Sequence, residues 1–291
     1  MKYRLFVLAA ALLFSTGGAA IKATTLGSWQ VASLRSLVAA VVLLALLPES
    51  RRMGSPRVWL ASVAYASTLV LFVLANKMTT AANAIFLQAT APFYLLAIGP
   101  LVLKEPNRGR DYVLGGVMAM GMALFFFDSS RASALAPNPA LGNALAAATG
   151  LTWALTVTAL RGLSKAEGAS SLPVVSAGNL VAFTAALPFA WPVPSIGAMD
   201  LSVLLYLGVF QIGLAYFCMA RGVKHVPAFE ASVLILLEPA MNPVWTYLFH
   251  NERPGPLALA GGVIIMGATV AHTLTGTATA APPETSQPLP D

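Results

Sequence analysis

The chain is short of charge. Only 10% of its 291 residues are Asp, Glu, Lys or Arg, against about 25% in an ordinary soluble domain. It has one cysteine, Cys218, which excludes an intrachain disulfide and a cysteine metal cluster. The three histidines, His225, His250 and His272, stand at the ends of apolar runs and not at metal spacing, and there is no H-E-x-x-H run. No G-x-x-x-x-G-K-[ST] run is present, so no P-loop cradles ATP. The net charge of +6 comes from basic residues scattered between apolar runs. Without a basic stripe and interleaved aromatics, nucleic acid is not implied as a partner. No metal or cofactor is implied, and a membrane-embedded enzyme is a remote alternative because no serine–histidine pair falls at depth.

What is present is apolar length. Hydrophobic residues make up 57% of the chain and the mean hydropathy is +0.76. Runs of roughly 17 to 22 residues can cross a hydrocarbon core of about 30 Å. The fold class is therefore an all-α integral membrane protein. Ten transmembrane helices are expected, near 4–24, 29–48, 57–76, 82–103, 111–128, 139–163, 172–191, 201–220, 229–249 and 255–274. The loops are short. The tail 275–291 is proline-rich and polar, and is expected to be disordered and cytoplasmic. The start, MKYRLFVLAAALLFSTGGAA, mimics a signal peptide. Its segment LAAALLFSTGGAA nevertheless resembles LAAATGLTWALTV from Leu145, so the expectation is a retained first span.

Orientation follows from lysine and arginine. With the N-terminus inside, 12 of the 17 basic residues fall on the inner side and 4 on the outer; Arg35 lies within the second span. The expected topology is N-in and C-in. Arg35, about two turns into its span, is expected to snorkel, with carboxylate binding the minority reading.

The chain also repeats itself. Asn83–Glu105 reads NAIFLQATAPFYLLAIGPLVLKE, and Glu230–Glu252 reads EASVLILLEPAMNPVWTYLFHNE. Adding 147 to Asn83, Pro92 and Glu105 gives Glu230, Pro239 and Glu252. Downstream, Gly115–Gly121 is answered by Gly261–Gly267 at an offset of 146, with five of seven residues identical. Two five-helix repeats result, 4–128 and 139–274. An odd number of spans per repeat inverts the second relative to the first, which places a binding site near the midplane between them.

Candidate site residues are the polar and aromatic groups at depth. Pro92 and Pro239 are helix breakers that free the carbonyls of Gln88 and Ile235. Glu238 is the acid placed deepest: a ligand for a substrate ammonium, a proton carrier, or a structural acid. Glu230, nearer a span end, is expected to snorkel or pair with Lys224 or His225. Ser15, Gln88, Thr156 and Asn242 are polar, and Phe86, Tyr94, Trp153 and Tyr216 aromatic, at similar depth. Each alone is more often glue between helices than a ligand contact. Trp29, Trp59 and Trp191 near span ends read as interface anchors. The glycine clusters at Gly115 and Gly261 permit close helix packing, within one chain or between two.

Taken together, Pro92, Glu105, Gly116 and Gly121, with Glu238-Pro239, Glu252, Gly262 and Gly267, resemble the motifs of the EamA-type carriers of the drug/metabolite transporter superfamily. The run GNALAAATGLTWALTVTALRG from Gly142 also looks like that family's sixth span. Asn251 departs from the pattern, since a small residue usually precedes the glutamate, and Ala91 leaves the first half without an acid beside its proline. Within the superfamily the chain looks most like a YddG-type aromatic amino-acid exporter. The resemblance implies a multi-pass protein of the bacterial inner membrane that exports aromatic and other neutral amino acids through a central cavity by alternating access. Its partners would be amino acids and the lipid bilayer, with the oligomeric state left open. The alternative is a proton-coupled exporter of drugs or quaternary ammonium ions.

Overall fold

The computed structural model describes residues 1–104, 107, 109–127, 133–167, 170–193, 195–222, 225–226 and 234–277. Glu105, Glu230 and Lys224 lie outside them, as does most of the tail.

Each apolar run becomes helix. In order they are α1 (Lys2–Ser15), α2 (Gly17–Ala23), α3 (Ser28–Leu46), α4 (Pro56–Met78), α5 (Ala81–Gln88), α6 (Ala91–Ile98), α7 (Gly109–Phe127), α8 (Pro139–Glu167), α9 (Leu172–Ala190), α10 (Ala198–Leu205), α11 (Ala215–Gly222), α12 (Leu237–His250) and α13 (Pro256–Thr277). Proline opens α4 and α9, where its missing N–H is harmless. Among the described residues eight helical segments are long and apolar enough to cross a membrane, from Lys2–Ala23 through Ala198–Gly222. Pro256–Ala271 is a shorter apolar helix, and α12 is the described part of the expected ninth span. The molecule is an all-helical, multi-pass membrane protein.

The spans are not all continuous. The fourth breaks at Ala89–Thr90, so Pro92 starts a new helix, α6, where only a kink was expected. The pyrrolidine ring cannot accept helical geometry behind it. The Thr90 hydroxyl takes the Leu87 carbonyl that the break releases. Pro239 likewise falls in the first turn of α12 and not mid-helix. A break without proline separates α1 from α2 at Thr16. There the hydroxyls of Ser15 and Thr16 turn back to the carbonyls of Leu12 and Leu13, each at 2.7 Å. Hydroxyls competing for backbone acceptors, followed by Gly17-Gly18, are enough to stop a helix. Between α10 and α11 the chain is wound as a π-helix over Tyr206–Leu214, a rare form that tends to sit at functional sites.

Packing explains the duplicated glycines. α7 runs along α13, with a Cβ at Gly121 3.0 Å from the Gly261 carbonyl and one at Gly261 2.5 Å from the Gly121 carbonyl. The two clusters therefore close on each other inside one chain. Gly262 clears space for the Phe86 ring. Among the described residues, the two non-glycine residues with positive φ, Lys104 (56°) and Asn251 (51°), are related by the same offset of 147 as the prolines. Both end a span in the left-handed conformation, which asparagine and glycine tolerate best. Asn251 thus replaces the family's usual small residue at a point where the backbone must turn left.

Candidate functional site

The break at Thr16 is where the other spans converge. Glu238, Asn242 and Trp245 stand at i, i+4 and i+7 on α12, one face of a helix, and α12 packs along α1 and α2. The Trp245 indole N–H donates to the Ser15 hydroxyl at 2.9 Å. Asn242 lies so close to Gly18 that a Cβ there would meet its Oδ1 at 2.8 Å. Gln211, from the π-helical turn, leans on Gly17 in the same way, its Nε2 2.9 Å from where a Cβ would be. The Tyr206 hydroxyl donates to Thr16 Oγ1 at 2.9 Å. Both side-chain polar atoms of Asn242, and Oε1 of Gln211, are buried without partners. Bare glycine backbone thus lets two amides approach from the other half of the chain.

One turn towards the N-terminus, the surroundings become aromatic and charged. Phe14 and Tyr216 meet edge to face with ring centroids 5.0 Å apart, and Tyr216 and Tyr65 at 6.0 Å. Tyr216 lies within electrostatic reach of both Glu238 and Arg35. Glu238 is half-buried and makes no hydrogen bond or ion pair among the described residues. Arg35 is only 1% exposed, so the expected snorkelling does not occur. The reason is rotational: α3 turns Arg35 towards α4, where Nη2 donates to the Leu69 carbonyl at 3.0 Å, and away from the membrane surface. Its Nε has no partner. Tyr65 OH, Ser36 Oγ and Ser176 Oγ are also buried and unpartnered.

Of the residues selected from sequence, Ser15, Tyr216, Glu238 and Asn242 come together here. Trp153 packs on the same buried cluster as Tyr216 and Tyr65. Others point elsewhere. Phe86 turns into a core cluster with Phe125, ring centroids 6.2 Å apart. The Tyr94 hydroxyl donates to the Ala147 carbonyl at 3.0 Å, joining α6 to α8. Thr156 is fully buried and bonds to the Thr152 carbonyl within its own helix. Gln88 ends α5 with Oε1 unpartnered. Pro92 and Pro239 set where α6 and α12 begin. Sequence reasoning passed over Tyr65, Trp245 and Gly17-Gly18. The i+7 spacing of Trp245 from Glu238, and a Ser-Thr-Gly-Gly run inside an apolar span, were the available signals.

A second polar cluster closes the end of the bundle remote from the N-terminus. Lys22 Nζ donates to the Thr79 carbonyl at 2.9 Å and to the Leu135 carbonyl, and lies 3.6 Å from Glu252 Oε2. Glu252 Oε1 accepts from the Ala81 N–H at 2.8 Å, capping α5. Burial pushes the Glu252 carboxyl above its ordinary range, opposed by Lys22 and the Ala81 N–H. Thr79 donates to Asn143 Oδ1 at 2.7 Å, and Asn83 donates to the same oxygen at 3.0 Å. Asp200 accepts from the hydroxyls of Thr24 and Thr25 at 2.6 and 2.7 Å. His250 Nε2 lies 2.8 Å from the Ala19 carbonyl.

Comparison with known proteins gives a consistent result. The EamA-like transporter family matches twice, at residues 1–127 and 140–273. The chain is 26% identical over 278 residues to the pseudopaline exporter CntI of Pseudomonas aeruginosa (strain UCBPP-PA14), covering 92% of this chain and 94% of that protein. It is 27% identical over 276 residues to the uncharacterized transporter YwfM of Bacillus subtilis (strain 168), covering 91% of each. A crystal structure superimposes with a TM-score of 0.62 at 17% identity, over 96% of this chain and 99% of the other, which speaks to the fold alone. With both halves matched, the chain belongs to the EamA-like transporter family.

Proposed function

We propose that this protein exports aromatic and other neutral amino acids across the bacterial inner membrane, by alternating access through a site between its two halves. The observation that carries the reading is a buried guanidinium, Arg35, and a carboxyl group, Glu238, neither with an ion-pair partner among the described residues and both within electrostatic reach of Tyr216 in a setting of aromatic rings. A zwitterion with an aromatic side chain complements that setting in charge and in surface. The residues proposed to contact substrate are Ser15, Trp153, Tyr216, Glu238 and Asn242, with Gln88 at the break in the fourth span and Pro92 and Pro239 shaping the wall, while Phe86, Tyr94 and Thr156 are engaged in packing between and within helices. The architecture proposed is ten spans, N-in and C-in, in two inverted five-helix repeats. Two matched segments and the left-handed pair Lys104 and Asn251 support the duplication. Transport is facilitative or secondary active.

The test is uptake into proteoliposomes of labelled phenylalanine, threonine and a lipophilic cation, with and without an imposed pH difference. Amino-acid uptake that exceeds cation uptake is expected. Glu238 favours a second reading, because a half-buried carboxylate with no cationic partner suits a lipophilic cation exchanged for protons. Uptake of the cation alone, dependent on the pH difference and lost in Glu238→Gln, would replace the first reading with this one.

A further inference from the structure

We infer that Arg35 is a carboxylate-binding subsite. The inference deepens the amino-acid reading, on which it rests for the choice of probes. A guanidinium carries five donors and stays charged at any physiological pH. In this structure one donor is used, on the Leu69 carbonyl, and Nε is left without a partner at 1% exposure. No carboxylate among the described residues forms an ion pair with it. Lys22, the other fully enclosed cation, has Glu252 at 3.6 Å and two carbonyls. A membrane protein keeps an enclosed charge when it is paired, or when its counter-charge arrives from outside.

The groups around Arg35 narrow that counter-charge. The Tyr65 hydroxyl is buried and without a hydrogen bond of good geometry, lies within electrostatic reach of Arg35, and has Tyr216 and Asn179 as near polar neighbours. An arginine fork with a hydroxyl donor beside it matches the two oxygens of a planar monoanion. A phosphate dianion would need a second cation, and no second cation is coupled to this cluster among the described residues. Glu238 is coupled to Tyr216 and not to Arg35. The carboxylate end of one ligand would therefore meet Arg35 and its ammonium end Glu238, with Tyr216 near both.

The experiment is a binding panel on the detergent-solubilised full chain, by calorimetry and by thermal shift at constant ionic strength. The probes are phenylalanine, 3-phenylpropionate, which keeps the carboxylate alone, and phenethylamine, which keeps the ammonium alone. Wild type is expected to bind both carboxylate probes and to bind phenethylamine more weakly than phenylalanine by about tenfold or more. Arg35→Gln is expected to remove that preference while leaving phenethylamine binding unchanged. Arg35→Lys, which keeps the charge but loses the fork, should fall between, and it decides the matter if Arg35→Gln does not fold. Wild type that binds phenethylamine as tightly as phenylalanine overturns the subsite, as does an Arg35 variant that keeps the carboxylate preference. If 3-phenylpropionate binds through Arg35 and phenylalanine does not bind, the subsite stands and the amino-acid reading falls. If neither carboxylate probe binds, the subsite falls.

Discussion

The two polar clusters of this protein hold buried charge in opposite ways. At the end remote from the N-terminus, Lys22 and Glu252 neutralise each other, and carbonyls and an amide N–H occupy most of their remaining capacity. The surrounding threonines and asparagines are cross-bonded between α4, α5 and α8. Around Tyr216, by contrast, Arg35 and Glu238 have no counter-ion among the described residues, and Tyr65 OH, both polar atoms of Asn242 and Gln211 Oε1 are unpartnered. A satisfied network specifies one arrangement of helices. An unsatisfied one stays expensive until something from outside completes it. The first cluster fastens the family-matched halves together, and the second is the one we propose as the receptor.

The contrast breaks most sharply under charge removal. Lys22→Met or Glu252→Gln alone should destabilise the solubilised protein by about 3–5 kcal/mol, because each strands the other charge or its donors in a buried setting. Arg35→Met should leave the melting temperature unchanged or raised, since it deletes a charge with no partner, while abolishing carboxylate-dependent binding. Thermal unfolding of the variants in parallel decides this. If Arg35→Met unfolds the protein as badly as Lys22→Met does, the two clusters are the same kind of object.

A smaller effect separates packing from both clusters. Gly261→Leu puts a Cβ 2.5 Å from the Gly121 carbonyl and an isobutyl group against Phe125, and should cost about 1–3 kcal/mol or more. Gly267→Leu, at a glycine with open space around it, should be tolerated. Equal losses at both sites would mean that the glycine contact between α7 and α13 carries no special weight. The smallest effect concerns the backbone. Lys104→Gly relieves a lysine from φ of 56° and should stabilise by about 1 kcal/mol. Asn251→Gly should give less, since asparagine already tolerates that conformation.

Much of the fold was legible because membrane helices announce themselves. Apolar run length fixed where helices start and stop to within a few residues, and the offset of 147 paired Pro92 with Pro239 before any contact was known. The glycine repeats were equally visible, but whether they met within a chain or between chains was not. That depended on α7 and α13 lying side by side, a matter of three-dimensional arrangement. Asn251 read as a departure from the family pattern, and its φ of 51° is one that asparagine tolerates.

The candidate site was legible in part. Glu238, Asn242, Ser15 and Tyr216 were selected by depth and polarity, and the structure gathers them at the break in the first span. Phe86, Tyr94 and Thr156 satisfied the same criterion and face the packing between helices. Depth along a helix is a one-dimensional quantity that the sequence carries. Rotation about the helix axis is set by which neighbours each face finds, and an all-apolar span leaves little amphipathic signal to reveal it.

Arg35 shows the limit most clearly. Its depth was readable, and snorkelling was the reasonable expectation for an arginine two turns from a surface. The amino-acid sequence by itself determined the membrane class, the apolar runs that become helices, the sequence repeat, and where each polar group falls along its run. Only the tertiary structure decided which way those groups point, because a charge two turns deep reaches water on one face of α3 and a closed interior on the other.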